Sequence, residues 1–133
     1  MRKYLLICRD KFSLYALENE DGSCEIAELL DRSNARNKDD ATMRDSMVKK
    51  LERLSMNQLP ESPVHHMIED GIRQISSGKY RLMYFFDSGR FIICTHSFVK
   101  KGGKTPKKEI DKAKRHREAY LRAQKNKTLR LEG

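Results

Sequence analysis

The chain has 133 residues, of which 35% are charged, and its formal net charge is +9. That length suits one domain with a modest hydrophobic core, so we expect a single domain over residues 1–133. Its apolar runs, such as residues 4–8, fall far short of the ~18 residues that a membrane span needs, and no signal peptide is recognisable. Three widely spaced cysteines predict reduced thiols in a cytoplasmic protein, with neither a disulfide framework nor a metal site.

The positive charge is concentrated in the last quarter of the sequence. Residues 97–133 hold 13 Lys/Arg against 4 Asp/Glu, whereas residues 1–96 hold 15 of each. Such a basic surface attracts polyanions through counterion release, and nucleic acid is the common case. A solubilising tail has the same composition, and we interpret residues 124–133 as a flexible basic tail of that kind.

The N-terminal half is predicted to form two strands followed by two helices. Apolar runs predict strands at residues 3–8 and 12–17. Apolar residues at helical spacing then predict a short helix at residues 25–32 and a longer helix at residues 41–56. The proline-flanked segment that follows is expected to be a loop, in which His65 and His66 are exposed spacers.

The next part of the chain is predicted to form three strands. They lie at about residues 67–75, 80–86 and 91–98, and the short turns at residues 76–78 and 87–89 separate them. Turns of this length between β-rich runs are typical of an antiparallel meander.

A closing helix follows the meander. Thr105 is its expected N-cap, Pro106 suits its first turn, and an apolar seam that includes Ile110 and Tyr120 faces the core. The order of elements predicts an α+β fold with a mostly meander antiparallel sheet, two N-terminal helices on one face, and a C-terminal helix.

Basic residues of the last strands are predicted to share one sheet face with the lysine-rich segment at residues 98–110. Alternation along residues 80–86 places Arg81 on the face opposite the N-terminal helices, which we expect to be open. Arg73 and His96 are expected on the same face, unless a bulge reverses the alternation. The catalytic candidates are Arg81, His96 and Lys104, and the phosphate-binding candidates are Arg73, Lys100, Lys101, Lys107 and Lys108.

These residue types suit RNA cleavage without a metal ion or other cofactor. Guanidinium groups bind two phosphoryl oxygens at once, the helix start adds N–H donors, and histidine exchanges protons near neutral pH. Attack of a 2′-hydroxyl on the adjacent phosphorus needs proton transfer and cationic stabilisation, each worth roughly 10²–10⁴ in rate. Structural interpretations stay open, with His96 as a half-buried structural histidine and Arg81 as an ion-pair partner of Asp87 or Glu69.

Two stretches carry a family resemblance: IRQISSGKYRLMYFF, from residue 72, and FIICTHSFVKKGGKTPKKEIDKAKR, from residue 91. They resemble the RelE/ParE toxin superfamily, and more narrowly the phage-associated, HigB-like branch of type II toxin–antitoxin systems. The resemblance covers about residues 65–118. It implies a RelE-like fold, to which residues 1–11 add an N-terminal strand.

The resemblance also implies a function and site residues. It implies an endoribonuclease toxin that cuts mRNA on the ribosome and is silenced by a helix-turn-helix antitoxin. The family's arginine after a meander turn corresponds to Arg81, its histidine to His96, and a basic residue after the last strand to Lys104. Ile110 takes the position of a tyrosine that contributes to chemistry in RelE. We therefore expect catalysis to depend on His96 and the lysines rather than on a tyrosine.

Two other functions stay open at this point. A ParE-like poison of DNA gyrase shares the fold but typically lacks a lysine-rich segment like residues 98–110. A non-catalytic nucleic-acid-binding prophage protein would need the basic charge but not His96.

Overall fold

The computed structural model describes all 133 residues as an α+β fold with one seven-stranded sheet and three α-helices. The strands are β1 (Arg2–Arg9), β2 (Ser13–Glu18), β3 (His65–Glu69), β4 (Ile72–Ser77), β5 (Tyr80–Asp87), β6 (Phe91–Val99) and β7 (Leu129–Glu132). The helices are α1 (Glu25–Leu30), α2 (Lys38–Ser55) and α3 (Lys107–Lys125). None of the three helices is both long enough and apolar enough to cross a membrane.

The strand order is β3-β4-β5-β6-β2-β1-β7. The predicted meander is present, but it has four strands because the chain turns at Asp70 and Gly71, inside the strand predicted at residues 67–75. These two residues have φ of 51° and 80°, as a two-residue hairpin turn requires. The sheet is mixed rather than wholly antiparallel, since the β2–β6 and β1–β7 pairings are parallel.

The end of the chain forms a strand instead of a flexible tail. Residues Leu129–Glu132 pair in parallel with the start of β1, and Leu129 and Leu131 pack against the core. The predicted flexible tail at residues 124–133 is therefore wrong for this strand. The segment forms a strand because its leucines alternate with charged residues, so that the strand has one apolar face to bury.

Both faces of the sheet are covered by helices. Side chains on one face, among them Leu14, Leu82 and Ile92, pack against α1 and α2. Side chains on the other face, including Met83 and Phe85, pack against α3. The face that we expected to be open is therefore occupied along part of its width by α3.

Two helix starts differ from the predictions. Helix α2 begins three residues early because Asn37 caps it, its side-chain oxygen accepting a hydrogen bond from the N–H of Asp40 at 2.9 Å. Helix α3 has Pro106 at its cap position and no side-chain cap. The hydroxyl of Thr105, the predicted cap, instead donates to Oε1 of Gln74 in β4 at 2.8 Å. This contact ties the lysine-rich segment to the sheet.

Candidate nucleic-acid interface

A groove of about 800 Å³ lies between the meander and the start of α3. Its floor is formed by β4 and β5, and its walls by β3 and by the segment that joins β6 to α3. We call it the Arg81 groove. Its basic and hydrogen-bonding lining includes His66, Arg81, Lys100, Lys104 and Thr105.

Arg81 lies on the floor of the groove with only part of its hydrogen-bonding capacity used. Its Nη1 donates to the carbonyl oxygens of Gly78, at 2.6 Å, and Tyr80, at 3.0 Å. Its Nε atom is buried and has no hydrogen-bond partner. Burial lowers the pKa of the guanidinium from its ordinary value, but an arginine stays charged in proteins. Arg81 is therefore a fixed cation with an unsatisfied donor.

Neither carboxylate that could have neutralised Arg81 does so. Asp87 accepts hydrogen bonds from Tyr120 and Gln124 on α3. Glu69 is paired with Lys114. The structural alternative, in which Arg81 is an ion-pair partner of one of them, is therefore wrong, and the charge of Arg81 is left for a ligand.

His66 presents a second unsatisfied nitrogen to the same groove. Its Nδ1 atom is buried without a partner, and so is Nε of Arg81. Only three buried side-chain nitrogen or oxygen atoms in the whole chain lack a partner, so two of the three lie in this groove. A buried unpartnered polar group costs about 1–3 kcal/mol, and native proteins satisfy most of them. The groove therefore has the hydrogen-bonding pattern of a site that a polar ligand completes.

The prediction that His65 and His66 are exposed spacers is wrong. Both residues belong to β3, where His65 is only 4% exposed and its Nε2 lies 2.5 Å from the hydroxyl of Tyr84. His66 pairs with Gln74 of β4. The Asp-Gly turn at residues 70–71 is the signal that could have revealed this, because it sets the start of the preceding strand at the histidines.

The lysine-rich segment contributes part of its charge to the groove. Lys100 and Lys104 line it, whereas Lys101, Lys107 and Lys108 are exposed outside the lining. The backbone turns at Gly102 and Gly103, whose φ values of 112° and 67° favour glycine. The first N–H groups of α3 have no side-chain cap, so this helix start adds donors beside the groove.

Arg73 lies on the opposite face of the sheet from Arg81. Its Nε donates to the hydroxyl of Tyr84 at 3.0 Å, and its Nη2 is 2.5 Å from Oε1 of Glu61. The expectation of a shared face is wrong because Ser76 is the β4 residue that pairs with Arg81, so the even-numbered residues of β4 face the groove. The side chain of Arg73 is engaged by protein groups.

A family model described as "Phage derived protein Gp49-like (DUF891)" matches residues 37–118, well over half of the chain. The chain belongs to this Gp49-like family. The family is phage-derived and related to the toxins of toxin–antitoxin systems. The matched region runs from the cap of α2 into α3 and includes every residue that lines the Arg81 groove. No curated protein matches the sequence significantly.

In this Gp49-like protein His96 shares the sheet face of Arg81 but lies under α3. A bulge at Thr95 shifts the β5–β6 register, so that Cys94 pairs with Tyr84 and His96 pairs with Met83. Cys94 consequently packs in the α1–α2 layer, whereas His96 faces α3.

His96 is sealed from the groove. Its side chain is 1% exposed, its ring stacks on that of His116 with centroids 5.8 Å apart, and its Nε2 lies 3.1 Å from Oε1 of Glu109. Burial, together with the charge of Lys112, lowers the pKa of His96 to about 4. The imidazole is thus neutral at pH 7, and its contact with Glu109 is a hydrogen bond rather than an ion pair. Of the three predicted catalytic residues, the Arg81 groove of the Gp49-like protein brings together Arg81 and Lys104.

Proposed function

We propose that this Gp49-like protein is the toxin of a type II toxin–antitoxin module, in the HigB-like branch and with a RelE-like arrangement of its fold. Its activity is cleavage of mRNA on the ribosome, in the cytoplasm, without a metal ion or cofactor. The observation that carries this proposal is the convergence of Arg81, Lys100 and Lys104 on a groove that holds two unsatisfied buried nitrogens. Its protein partner is a helix-turn-helix antitoxin that keeps it silent.

In the proposed reaction the groove binds the scissile phosphodiester. Arg81 donates from its unpartnered side to non-bridging phosphate oxygens, and Lys104 adds mobile positive charge, so both stabilise the dianionic phosphorane. The 2′-oxygen bonds to phosphorus while the bond to the 5′-oxygen breaks. The products are a 2′,3′-cyclic phosphate and a 5′-hydroxyl end.

Proton transfer falls to His66 in this mechanism, because His96 lies outside the groove. His66 is the one histidine in the groove lining, and its Nδ1 has no hydrogen-bond partner in the protein. It accepts the proton of the 2′-hydroxyl, and the departing 5′-oxygen takes a proton from water. General-base assistance of this kind contributes about 10²–10⁴ in rate.

A cleavage assay with purified protein tests the proposal. We expect cleavage of mRNA during translation in the presence of EDTA, with 2′,3′-cyclic phosphate ends, and loss of cleavage in Arg81→Met. Arg90→Met is the matched control, because Arg90 is an exposed arginine in the β5–β6 turn that does not line the groove. Full activity of Arg81→Met would refute the assignment.

Expression under tight control separates the alternatives. Growth arrest with mRNA cut inside reading frames supports the nuclease. Arrest with intact mRNA and a DNA-damage response identifies a gyrase poison instead, and no arrest identifies a non-catalytic nucleic-acid-binding protein. Release from arrest by co-expression of a helix-turn-helix protein encoded beside this chain tests the antitoxin.

A further inference from the structure

A second basic recess lies on the other flank of α3 from the Arg81 groove. It measures about 300 Å³, and its lining consists of Arg2, Lys112, Arg115 and His116. We call it the Arg2 recess. No apolar and no acidic side chain lines it.

Neutral groups hold Arg2 in this recess. Its Nε donates to the hydroxyl of Tyr4 at 2.9 Å, and its Nη2 lies 3.3 Å from Nδ1 of His116. Tyr4 is itself only 1% exposed and packs edge-on against Tyr120 of α3. The guanidinium is therefore fixed in place with its charge uncompensated and its Nη1 donors unused.

His116 lines the recess as a neutral ring. Burial, with the charges of Arg2 and Lys112, lowers the pKa of His116 to about 4, so the ring is uncharged at pH 7. Because Nδ1 accepts the hydrogen bond from Arg2, the ring proton resides on Nε2. The ring is held by stacking on the buried His96. His116 thus fixes Arg2 through a hydrogen bond without adding a charge of its own.

The cations of the recess form no ion pair with a carboxylate of the protein. None of the six ion pairs of the chain includes Arg2, Lys112 or Arg115. The nearby carboxylate of Glu25 is occupied by the N–H and hydroxyl of Ser97. Gathering like charges without a partner opposes folding, and a bound anion removes that penalty.

We propose that the Arg2 recess binds a backbone phosphate of the same RNA strand whose scissile phosphate occupies the Arg81 groove. The inference rests on the proposed function. A planar guanidinium fork with neighbouring cations matches phosphate oxygens. The absence of apolar lining disfavours an acidic protein segment, since stable protein interfaces have an apolar core.

Helix α3 supplies the path between the two sites. Lys108, Lys112 and Arg115 are spaced i, i+4 and i+7, so they lie on one stripe of the helix. The stripe runs from the start of α3, which follows the groove-lining segment of Lys100, Gly103, Lys104 and Thr105 in the chain, to the Arg2 recess. It rises about 10 Å along the helix axis, a distance that a few nucleotides cover. The recess therefore acts as a second phosphate contact that adds affinity for longer RNA.

Binding of 2′-O-methyl RNA, which cannot be cleaved by 2′-hydroxyl attack, tests the recess. The variant is Arg2→Gln/Arg115→Gln. The matched control is Arg122→Gln/Lys125→Gln, which removes the same charge from exposed residues at the far end of α3. Anisotropy titrations use a length series of oligonucleotides at several salt concentrations. A thermal melt checks folding, and Arg115→Gln alone, at an exposed residue, serves if the double variant unfolds.

We expect the recess variant to lose about tenfold in affinity for long oligonucleotides and to bind the shortest ones like the wild type. Its salt slope should fall by about 0.7, the value for the loss of one phosphate contact on a single strand. An equal loss in the control pair, or the same loss at every length, would overturn the inference. Binding of an acidic peptide at the recess in place of RNA would also overturn it.

Two results separate this inference from the proposed function. If RNA is bound with the expected length dependence but never cut, the recess stands and the nuclease assignment fails. If Arg81→Met abolishes cleavage while Arg2→Gln/Arg115→Gln binds long RNA like the wild type, the nuclease stands and the recess assignment fails.

Discussion

The Nε2 atom of His96 in β6 lies 3.1 Å from Oε1 of Glu109 in the first turn of α3, and this contact fastens the helix to the sheet. We therefore expect His96→Ala to reduce the free energy of unfolding by about 2–4 kcal/mol, through a cavity and an unsatisfied carboxylate. For His66→Ala we expect little loss of stability but a loss of cleavage of about 10²-fold or more. Urea denaturation and single-turnover cleavage measure both effects. A His96→Ala protein that is stably folded but does not cleave RNA would contradict this prediction and show that His96 has a role in catalysis.

Stability should fall on acidification through the two stacked histidines. Their pKa lies near 4 in the folded protein against an ordinary value of 6.5. Between these values the unfolded chain binds more protons, so the free energy of unfolding decreases as the pH falls from about 6.5 towards 4. Above pH 6.5 this contribution is complete and constant. Urea denaturation at a series of pH values tests it, with His116→Gln as the comparison. An identical acid profile in wild type and variant would contradict the prediction.

Arg81 and Arg73 should respond oppositely to replacement by methionine. Arg81→Met removes an unsatisfied buried Nε but also the hydrogen bonds from Nη1 to the carbonyl oxygens of Gly78 and Tyr80. Because these effects partly cancel, we expect a stability change of about 1 kcal/mol and a loss of cleavage of about 10²-fold or more. Arg73→Met breaks the contacts with Tyr84 and Glu61, which should cost about 2 kcal/mol and leave RNA binding unchanged. Chemical denaturation and RNA titration measure the pair. A weaker salt dependence of RNA affinity in Arg73→Met would show that Arg73 contacts the RNA and would contradict the prediction.

Two turn glycines provide a test of how Arg81 is positioned. A Cβ atom at Gly78 would lie 1.9 Å from Sδ of Met43 in α2, whereas one at Gly89 would meet open space. Both have positive φ, so Gly89→Ala should cost about 1 kcal/mol through backbone strain alone. Gly78→Ala should cost about 2–4 kcal/mol and also weaken cleavage, since the Gly78 carbonyl holds Arg81. Equal effects on thermal stability in the two variants would contradict this.

The last strand should contribute measurably to stability. Leu131 packs against the core on the α3 side, whereas its neighbour Arg130 is exposed. We expect Leu131→Asn to lower the free energy of unfolding by about 1–2 kcal/mol and Arg130→Asn to change it by less than about 0.5 kcal/mol, because only Leu131 loses buried apolar area. Urea denaturation of the two variants decides between a strand and a tail. Indistinguishable midpoints would support a flexible tail.

Local sequence patterns predicted much of the fold. Apolar runs and short turns are sufficient to predict β1, β2, β5 and β6, and helical spacing predicts α2. The Asp-Gly turn at residues 70–71 was a readable signal for the β3–β4 hairpin. The strand character of residues 129–132, in contrast, depends on pairing with β1 at the other end of the chain, which no local pattern reveals.

The candidate site was only partly predictable for a similar reason. Alternation along β5 and the hinge before α3 were enough to expect Arg81 and Lys104 together. The burial of His96 depends on where α3 crosses the sheet. The ion pair between Arg73 and Glu61 depends on which residues of β4 face the groove and which face the opposite side of the sheet. Both are tertiary properties. The unpartnered nitrogens of Arg81 and His66 became visible only with every neighbouring atom in place.

The parallel pairing of β1 with β7 joins the first and last strands of the chain. Closing so large a loop is entropically costly and makes this one of the slowest contacts to form. During synthesis one edge of β1 therefore stays unpaired until β7 has been translated. An unpaired strand edge is a template for pairing with other chains, so late arrival of β7 leaves the nascent protein with an aggregation-prone edge.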